Sequence, residues 1–197
     1  EEIILDKNKN TSIFENKVVI DTSDGKKIVS DFAEYNKEQG FVKLKNNIIV
    51  TDKNNNIIET DYAEYYEKNR VFKTKGATKI TTTENYVVET NDIVFDNKKK
   101  FISSNKKTKI NDQSNNIIYL QSFEYEIGTN IFKSLENITV EDNKKNTYRF
   151  SQIYIDTKKK EILGTDIKAY LNSKEFKIHP ENQPRIFANT VSLERNE

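Results

Sequence analysis

The chain repeats itself every thirty residues, and that period constrains its fold more than any other feature. Asp31-Phe32-Ala33-Glu34-Tyr35 returns as Asp61-Tyr62-Ala63-Glu64-Tyr65, thirty residues on. The same step extends the pattern into columns. Tyr35 leads to Tyr65, Phe95, Tyr125 and Ile155; Ala33 leads to Ala63, Ile93, Phe123 and Ile153. Ile28 leads to Ile58, Val88, Ile118 and Tyr148; Ser30 leads to Thr60, Thr90, Leu120 and Phe150. Later in the unit Val42 leads to Phe72, Ile102, Phe132 and Ile162, and Val50 to Ile80, Ile110 and Val140. One step back, Val50 reaches Ile20 and Ile48 reaches Val18, so a partial unit precedes the first full one. In the last unit Ile167 and Ala169 take the places of Ile138 and Val140, a slip of register that suits a terminal, capping repeat.

Within a unit the apolar residues alternate, as in Val42-x-Leu44 and Ile48-x-Val50. A period of two means strand, and the Ile, Val, Thr, Tyr and Phe that fill it suit a pleated, half-buried surface. Asp, Asn and Gly clusters between units, at Asp24-Gly25, Asp52 to Asn56, Asp112 to Asn115 and Asp142-Asn143, tolerate the left-handed backbone of tight turns. Shorter polar turns, at Asn36 to Gly40 and Glu67 to Asn69, split each unit in two. The pattern predicts two strands per unit, about eleven in all. Inward positions run 28, 30, then 33, 35, which predicts a bulge at Asp31-Phe32 and again at Asp61-Tyr62.

Composition agrees with a thin, repeating architecture. The 197 residues are 35% hydrophobic and 32% charged, too polar to fill a large compact core. Both prolines, Pro180 and Pro184, lie near the end, so uninterrupted ladders are possible up to about residue 178. With 32 basic and 31 acidic residues interleaved along the chain, the basic excess that nucleic-acid binding needs is missing. Cysteine is absent, which excludes disulfides, thiolate metal sites and a cysteine nucleophile. A chain that opens Glu1-Glu2-Ile3 reads as a mature or excised fragment.

Candidate catalytic groups are few. Glu34 and Glu64 share a column with Val94, Glu124 and Tyr154 and face solvent by parity, so they do not read as an acid–base pair. His179 is the only histidine and lacks the companions that a metal or catalytic site needs. Lys98 to Lys100 and Lys158 to Lys160 read as turn lysines. Asn10-Thr11-Ser12 and Asn137-Ile138-Thr139 match a glycosylation sequon short enough to arise by chance.

One repeat cannot bury its own apolar face, so stacked repeats must oppose two sheets. The residues expected to line the space between them are Ile28, Ala33, Tyr35, Val42, Ile48 and Val50; Ile58, Ala63, Tyr65, Phe72 and Ile80; Val88, Ile93, Phe95, Ile102 and Ile110; and Ile118, Phe123, Tyr125, Phe132, Ile138 and Val140. A stack also leaves two open edges. The N-terminal one, with Ile3, Ile4, Leu5, Ile13 and Phe14 and charges at Asp6, Lys7 and Lys9, is the expected docking edge, and Pro180 and Pro184 are expected to guard the other.

Units of this form resemble the OstA-like repeat of the lipopolysaccharide-transport proteins LptA, LptC and LptD. Asp61 to Tyr65 with Lys75-Gly76-Ala77-Thr78-Lys79-Ile80 is the clearest copy. Asn182-Gln183-Pro184-Arg185-Ile186-Phe187-Ala188-Asn189 resembles the segment by which LptD leaves its periplasmic domain and enters its outer-membrane barrel. The resemblance implies an all-β jellyroll, or β-taco, over 1–178, with 179–197 as a linker or strand leading toward a barrel. It implies non-enzymatic, cofactor-free passage of lipopolysaccharide along the lined trough, on the periplasmic side of a Gram-negative outer membrane. Implied partners are lipopolysaccharide, an LptA-like jellyroll joined by edge-strand addition, and LptE with the full-length barrel; an LptA- or LptC-type carrier is the near alternative. From the residues alone, a ligand-free structural β-solenoid fits the same columns.

Overall fold

A computed structural model describes the backbone of residues 2–6, 10–22, 25–159, 161–175 and 177–194. Lys7, Lys9, Asp24 and Lys160, named above, lie outside the described residues, as do the side chains of Ile3, Ile4, Leu5 and Pro180. The protein is all-β, built of antiparallel strands, and the chain divides into two units, residues 1–104 and 105–197.

The first unit holds β1 (Glu2–Asp6), β2 (Thr11–Asp21), β3 (Lys27–Asn36), β4 (Phe41–Thr51), β5 (Ile57–Tyr66), β6 (Val71–Thr74), β7 (Ala77–Thr81), β8 (Val87–Asn91), β9 (Val94–Asp96) and β10 (Phe101–Ser104). β1 to β5 pair in sequence order; β5 then pairs with both β6 and β7, which pair onward with β9 and β8, and β9 with β10. The second unit holds β11 (Thr108–Asn111), β12 (Ile117–Leu120), β13 (Phe123–Glu126), β14 (Ile131–Glu141), β15 (Thr147–Asp156), β16 (Glu161–Tyr170) and β17 (Arg185–Glu194). β11 pairs with β12, β12 and β13 both pair with β14, and β14 to β17 pair in order.

From β2 to β5, and again between β14 and β15, the register shifts at mid-length, which bends the strands. Among the described residues there are seventeen strands where about eleven are expected, in part because β6/β7 and β8/β9, and β12/β13 in the second unit, are strands cut in two at the bend. In each unit the bend forms a crease at left-handed residues: Asn46 and Asn47 in β4 and Gly76 between β6 and β7 in the first, Glu136 and Asn137 in β14 in the second. Asn, Asp and Gly tolerate this region best. The crease falls at the predicted Asp31-Phe32 and Asp61-Tyr62, but the register puts the extra residue on the partner strand. Between the pairs Lys45↔Tyr62 and Ile48↔Thr60, β4 carries Asn46 and Asn47 where β5 carries only Asp61.

The crease gives each strand two arms. One ends in short turns whose last residue is left-handed, at Gly40, Arg70, Lys100 and Asn130. The other ends in side-chain-closed turns. Asp52 accepts from the backbone N–H of Asn54 (2.8 Å) and Asn56 (2.9 Å), and Asp112 and Asp142 repeat the arrangement. The turns are also stitched to each other. Asn56 Oδ1 accepts from Thr83 N in the next turn (3.1 Å), Asn116 Oδ1 from Asn143 N (3.1 Å) and Asn146 Oδ1 from Asn172 N (2.8 Å). At the short-turn tips Glu67 N donates to Gly40 O and Asn97 N to Arg70 O, both at 2.9 Å.

Candidate functional site

The repeat places most of its apolar columns on the inner face of the bent strands. It has a depth gradient. Beside the crease, Ala33, Ala63, Ile93, Phe123 and Ile153 are at most 5% exposed, and Leu44, Ile48 and Ile138 at most 1%. Toward the tips the inward residues Ile28, Tyr35, Val42, Ile58, Tyr65, Ile80, Val88, Phe95, Ile102, Ile118, Tyr125, Phe132 and Val140 are only half-buried, while Val50, Phe72 and Ile110 are buried. In the first unit one cluster joins residues of both arms, Val50 from one and Phe72 from the other, with Phe14, Ile20 and Phe95 packed against it. A polar contact also joins the arms in this unit. Lys26 Nζ lies 5.5 Å from the Phe95 ring centroid and donates to Asn97 Oδ1 at 3.4 Å.

Hydroxyls, missing from the list of expected lining residues, form the floor of the crease. Stepping thirty residues from Leu44 gives Thr74, Ser104, Ser134 and Gly164; stepping from Ile48 gives Thr78 and Thr108. All five hydroxyl residues are buried. A buried hydroxyl is costly unless it is hydrogen-bonded, and these are. Thr78 donates to Thr74 Oγ1 (2.7 Å), which accepts from Ile93 N (2.9 Å); Thr90 donates to Ser104 (3.1 Å), which donates to Asn91 O (2.7 Å). Among the described residues no buried side-chain polar atom is left without a partner. In the second unit the floor changes composition: Leu120 and Phe150 continue the Thr60 and Thr90 column, and Gly164 makes room for Phe150.

The outer face carries the charges. Glu34 pairs with Lys43, and Lys133 with Glu124 at 2.7 Å. Glu64 departs from the expected solvent exposure. It does point outward, but it is only 6% exposed, because Tyr62 (2.9 Å), Tyr66 (2.7 Å) and Lys75 (2.6 Å) all donate to it. Parity sets the direction of a side chain; it does not tell what its neighbours lay over it. Burial alone would raise the Glu64 pKa, but the hydrogen bonds from Lys75, Tyr66 and Tyr62 outweigh it and hold the carboxyl below its ordinary value. The result is a polar clasp in which three donors share one carboxylate. His179 is exposed and stands 3.8 Å from Glu181, and Lys98 caps Lys68 O at 2.8 Å, as turn residues would. Among the described residues no three acidic or histidine side chains come together to hold a metal.

The two ends of the pairing are strands of different length. β1 covers β2, so Ile13 pairs with Ile4 on one side and Glu34 on the other, and Ile13 and Phe14 lie one strand in from the edge. Pro180 and Pro184 both precede β17, Pro180 opening a short 3-10 turn (Pro180–Asn182). β17 itself contains no proline and pairs along its length with β16.

No protein-family model matches the chain, and no curated protein matches its sequence. Among solved structures, the chain is similar to LptH of Pseudomonas aeruginosa, the LptA-homologous periplasmic component of the lipopolysaccharide transport device. Identity is 13%, covering 84% of this chain and 96% of that one, with a TM-score of 0.29. It is also similar to the TCP domain of Drosophila melanogaster SAS-4, solved with a proline-rich motif of Ana2. Identity there is 13%, covering 87% and 88%, with a TM-score of 0.24. Superpositions this loose carry no argument about function.

Proposed function

We propose that the chain is a non-enzymatic lipid carrier that takes the acyl chains of lipopolysaccharide between its arms. In this reading it is the periplasmic domain of an LptD-type outer-membrane assembly protein, with an LptA- or LptC-type carrier as the near alternative. The depth gradient of the inner face supports this reading. A closed sandwich buries all its inward columns alike, because its sheets stay about 10 Å apart throughout. Here the columns beside the crease are buried and most of those toward the tips stay half-exposed. An apolar surface of that kind remains available to a chain-like apolar ligand, at roughly 25 cal/mol per Å² covered. The OstA-like repeat resemblance supplies the identity of the ligand. Partner jellyrolls join by strand addition at an open edge, and β1 is the edge assigned to that role.

A ligand-free structural module is the competing reading, and in the first unit the buried cluster shared by both arms and the Lys26–Phe95 contact favour it. A photo-crosslinking amino acid at Phe95, Phe123 or Lys79 separates the two. Lys79 replaces Glu64 as the outer-face control, since Glu64 is covered. The carrier reading expects lipopolysaccharide adducts at Phe95 and Phe123 and none at Lys79. Equal labelling at all three, or at none, sinks it.

A further inference from the structure

The outer face of the second unit differs from that of the first at equivalent repeat positions. On the side-chain-closed-turn arm of the first unit, one cross-strand row reads Val19, Val29, Ile49, Glu59, Lys79, Glu89. Its charges alternate, and Lys79 pairs with Glu59 at 3.2 Å. The same row in the second unit reads Lys109, Tyr119, Thr139, Arg149, Lys168, Phe187. It contains no acid. The neighbouring row adds Arg185 and one carboxylate, Glu141. Arg149, Lys168 and Arg185 have no ion-pair partner among the described residues. The aromatics at the row's flanks are open, Tyr119 at 41% and Phe187 at 62% exposed. Tyr170 sits between the two arginines, with guanidinium carbons 5.3 Å (Arg149) and 5.8 Å (Arg185) from its ring centroid. That contact fixes both guanidinium groups over the sheet.

We propose that this face docks on an anionic phospholipid bilayer, with Arg149, Lys168 and Arg185 on headgroup phosphates and Phe187 and Tyr119 in the interfacial layer. Five strand steps make the row about 24 Å long, so it meets several headgroups at once. Aromatic side chains flanked by Lys and Arg are what the headgroup region accommodates. A nucleic acid calls for a basic excess over the domain, and the chain carries 32 basic against 31 acidic residues; an oligonucleotide is the competing occupant in the test. The proposal does not depend on the lipid-carrier reading, because the inner and outer faces of a strand carry different residues.

The test is co-sedimentation of the full chain with vesicles of equimolar phosphatidylglycerol and phosphatidylcholine, against pure phosphatidylcholine and against a short single-stranded oligonucleotide. Each basic residue near an anionic surface is worth about fivefold in partitioning. The combined Arg149→Gln, Lys168→Gln, Arg185→Gln variant is therefore expected to lose roughly 100-fold of its binding to anionic vesicles. Lys27→Gln with Lys79→Gln, on the first unit, leaves it unchanged. Phe187→Ser weakens binding without changing its salt dependence. If the triple variant misfolds by circular dichroism, Lys168→Glu alone, at an exposed position, reads the same effect. Equal binding to neutral vesicles, an unaltered triple variant, or binding to the oligonucleotide in place of vesicles overturns the proposal. So does the absence of vesicle binding, whatever the crosslinking at Phe95 and Phe123 gives.

Discussion

Gly164→Ala tests whether the repeat columns are packed against each other across the crease. A Cβ at Gly164 would stand 2.6 Å from Phe150 Cδ1 and 2.8 Å from Cε1, with Ile167 Cδ1 at an ordinary 3.6 Å on another side. Two effects oppose each other. Glycine within a strand is less stable than alanine by about 0.5–1 kcal/mol, because it has more unfolded-state freedom to lose. Overpacking a core costs about 1–3 kcal/mol. The clash is with a ring, and Phe150 is half-buried, so the ring can give some ground toward the open side. The lower half of the overpacking range applies, and the net expectation is a loss of about 1 kcal/mol. Urea unfolding followed by far-ultraviolet circular dichroism reads it as a lower midpoint at unchanged slope. The pair Gly164→Ala and Phe150→Leu supplies the cycle. Shortening the ring makes room for the methyl, so the double variant is more stable than the sum of the singles by about 1 kcal/mol. A Gly164→Ala protein as stable as the parent, or more so, would refute the reasoning, for it would mean that only the glycine entropy acts there.

Glu64→Gln removes the charge that Tyr62, Tyr66 and Lys75 share and costs about 1–2 kcal/mol at neutral pH. Because the folded pKa of Glu64 lies below its unfolded value, the stability it contributes is present above that unfolded value and lost as pH falls through the folded one; the variant's thermal midpoint should fall less on acidification than the parent's. Asp142→Ala strips a carboxylate that accepts from Lys144 N, Asn146 N, Asn146 Nδ2 and Tyr148 OH, and should destabilise by about 2 kcal/mol, measured by urea midpoint, with Asp142→Asn recovering part of it. For partner addition at the first edge, Ile4→Pro should abolish binding of a second jellyroll in a pull-down, whereas Asn189→Pro in β17 should not; the opposite outcome moves the docking edge to β17.

Much of the fold is legible in the sequence because a thirty-residue period repeats each environment several times. The Tyr35 and Ala33 columns are on the inner face as expected, and the crease falls where parity breaks at Asp31-Phe32. The extra residue at the crease is less legible, because Asn46 and Asn47 look like ordinary strand-surface polar residues until their left-handed backbone is known. The buried hydroxyls escape a search for apolar columns: Thr74 and Thr78 satisfy each other, which pattern alone does not reveal. Glu64 shows the same limit on the outer face, where Tyr62 and Tyr66, read only as repeat markers, fold over it. The basic row of the second unit is invisible to net charge, since its cations are scattered from Lys109 to Arg185 and converge only through strand register.

The stitching between turns bears on how such a chain can gain or lose length. Glu67 N meets Gly40 O much as Lys37 N meets Asn10 O, one repeat earlier. Excising residues 37–66 would join Asn36 to Glu67 and hand Glu67 the acceptor that Lys37 used, so every surviving strand keeps a neighbour of the kind it had. Strand pairing to the adjacent repeat makes stability close to a sum of local terms. A deletion of thirty residues is then a shorter protein with the same interior, while a deletion of twenty-nine turns each later inner face outward. Recombination at the turns could thus have edited this chain in whole repeats without designing a new interface.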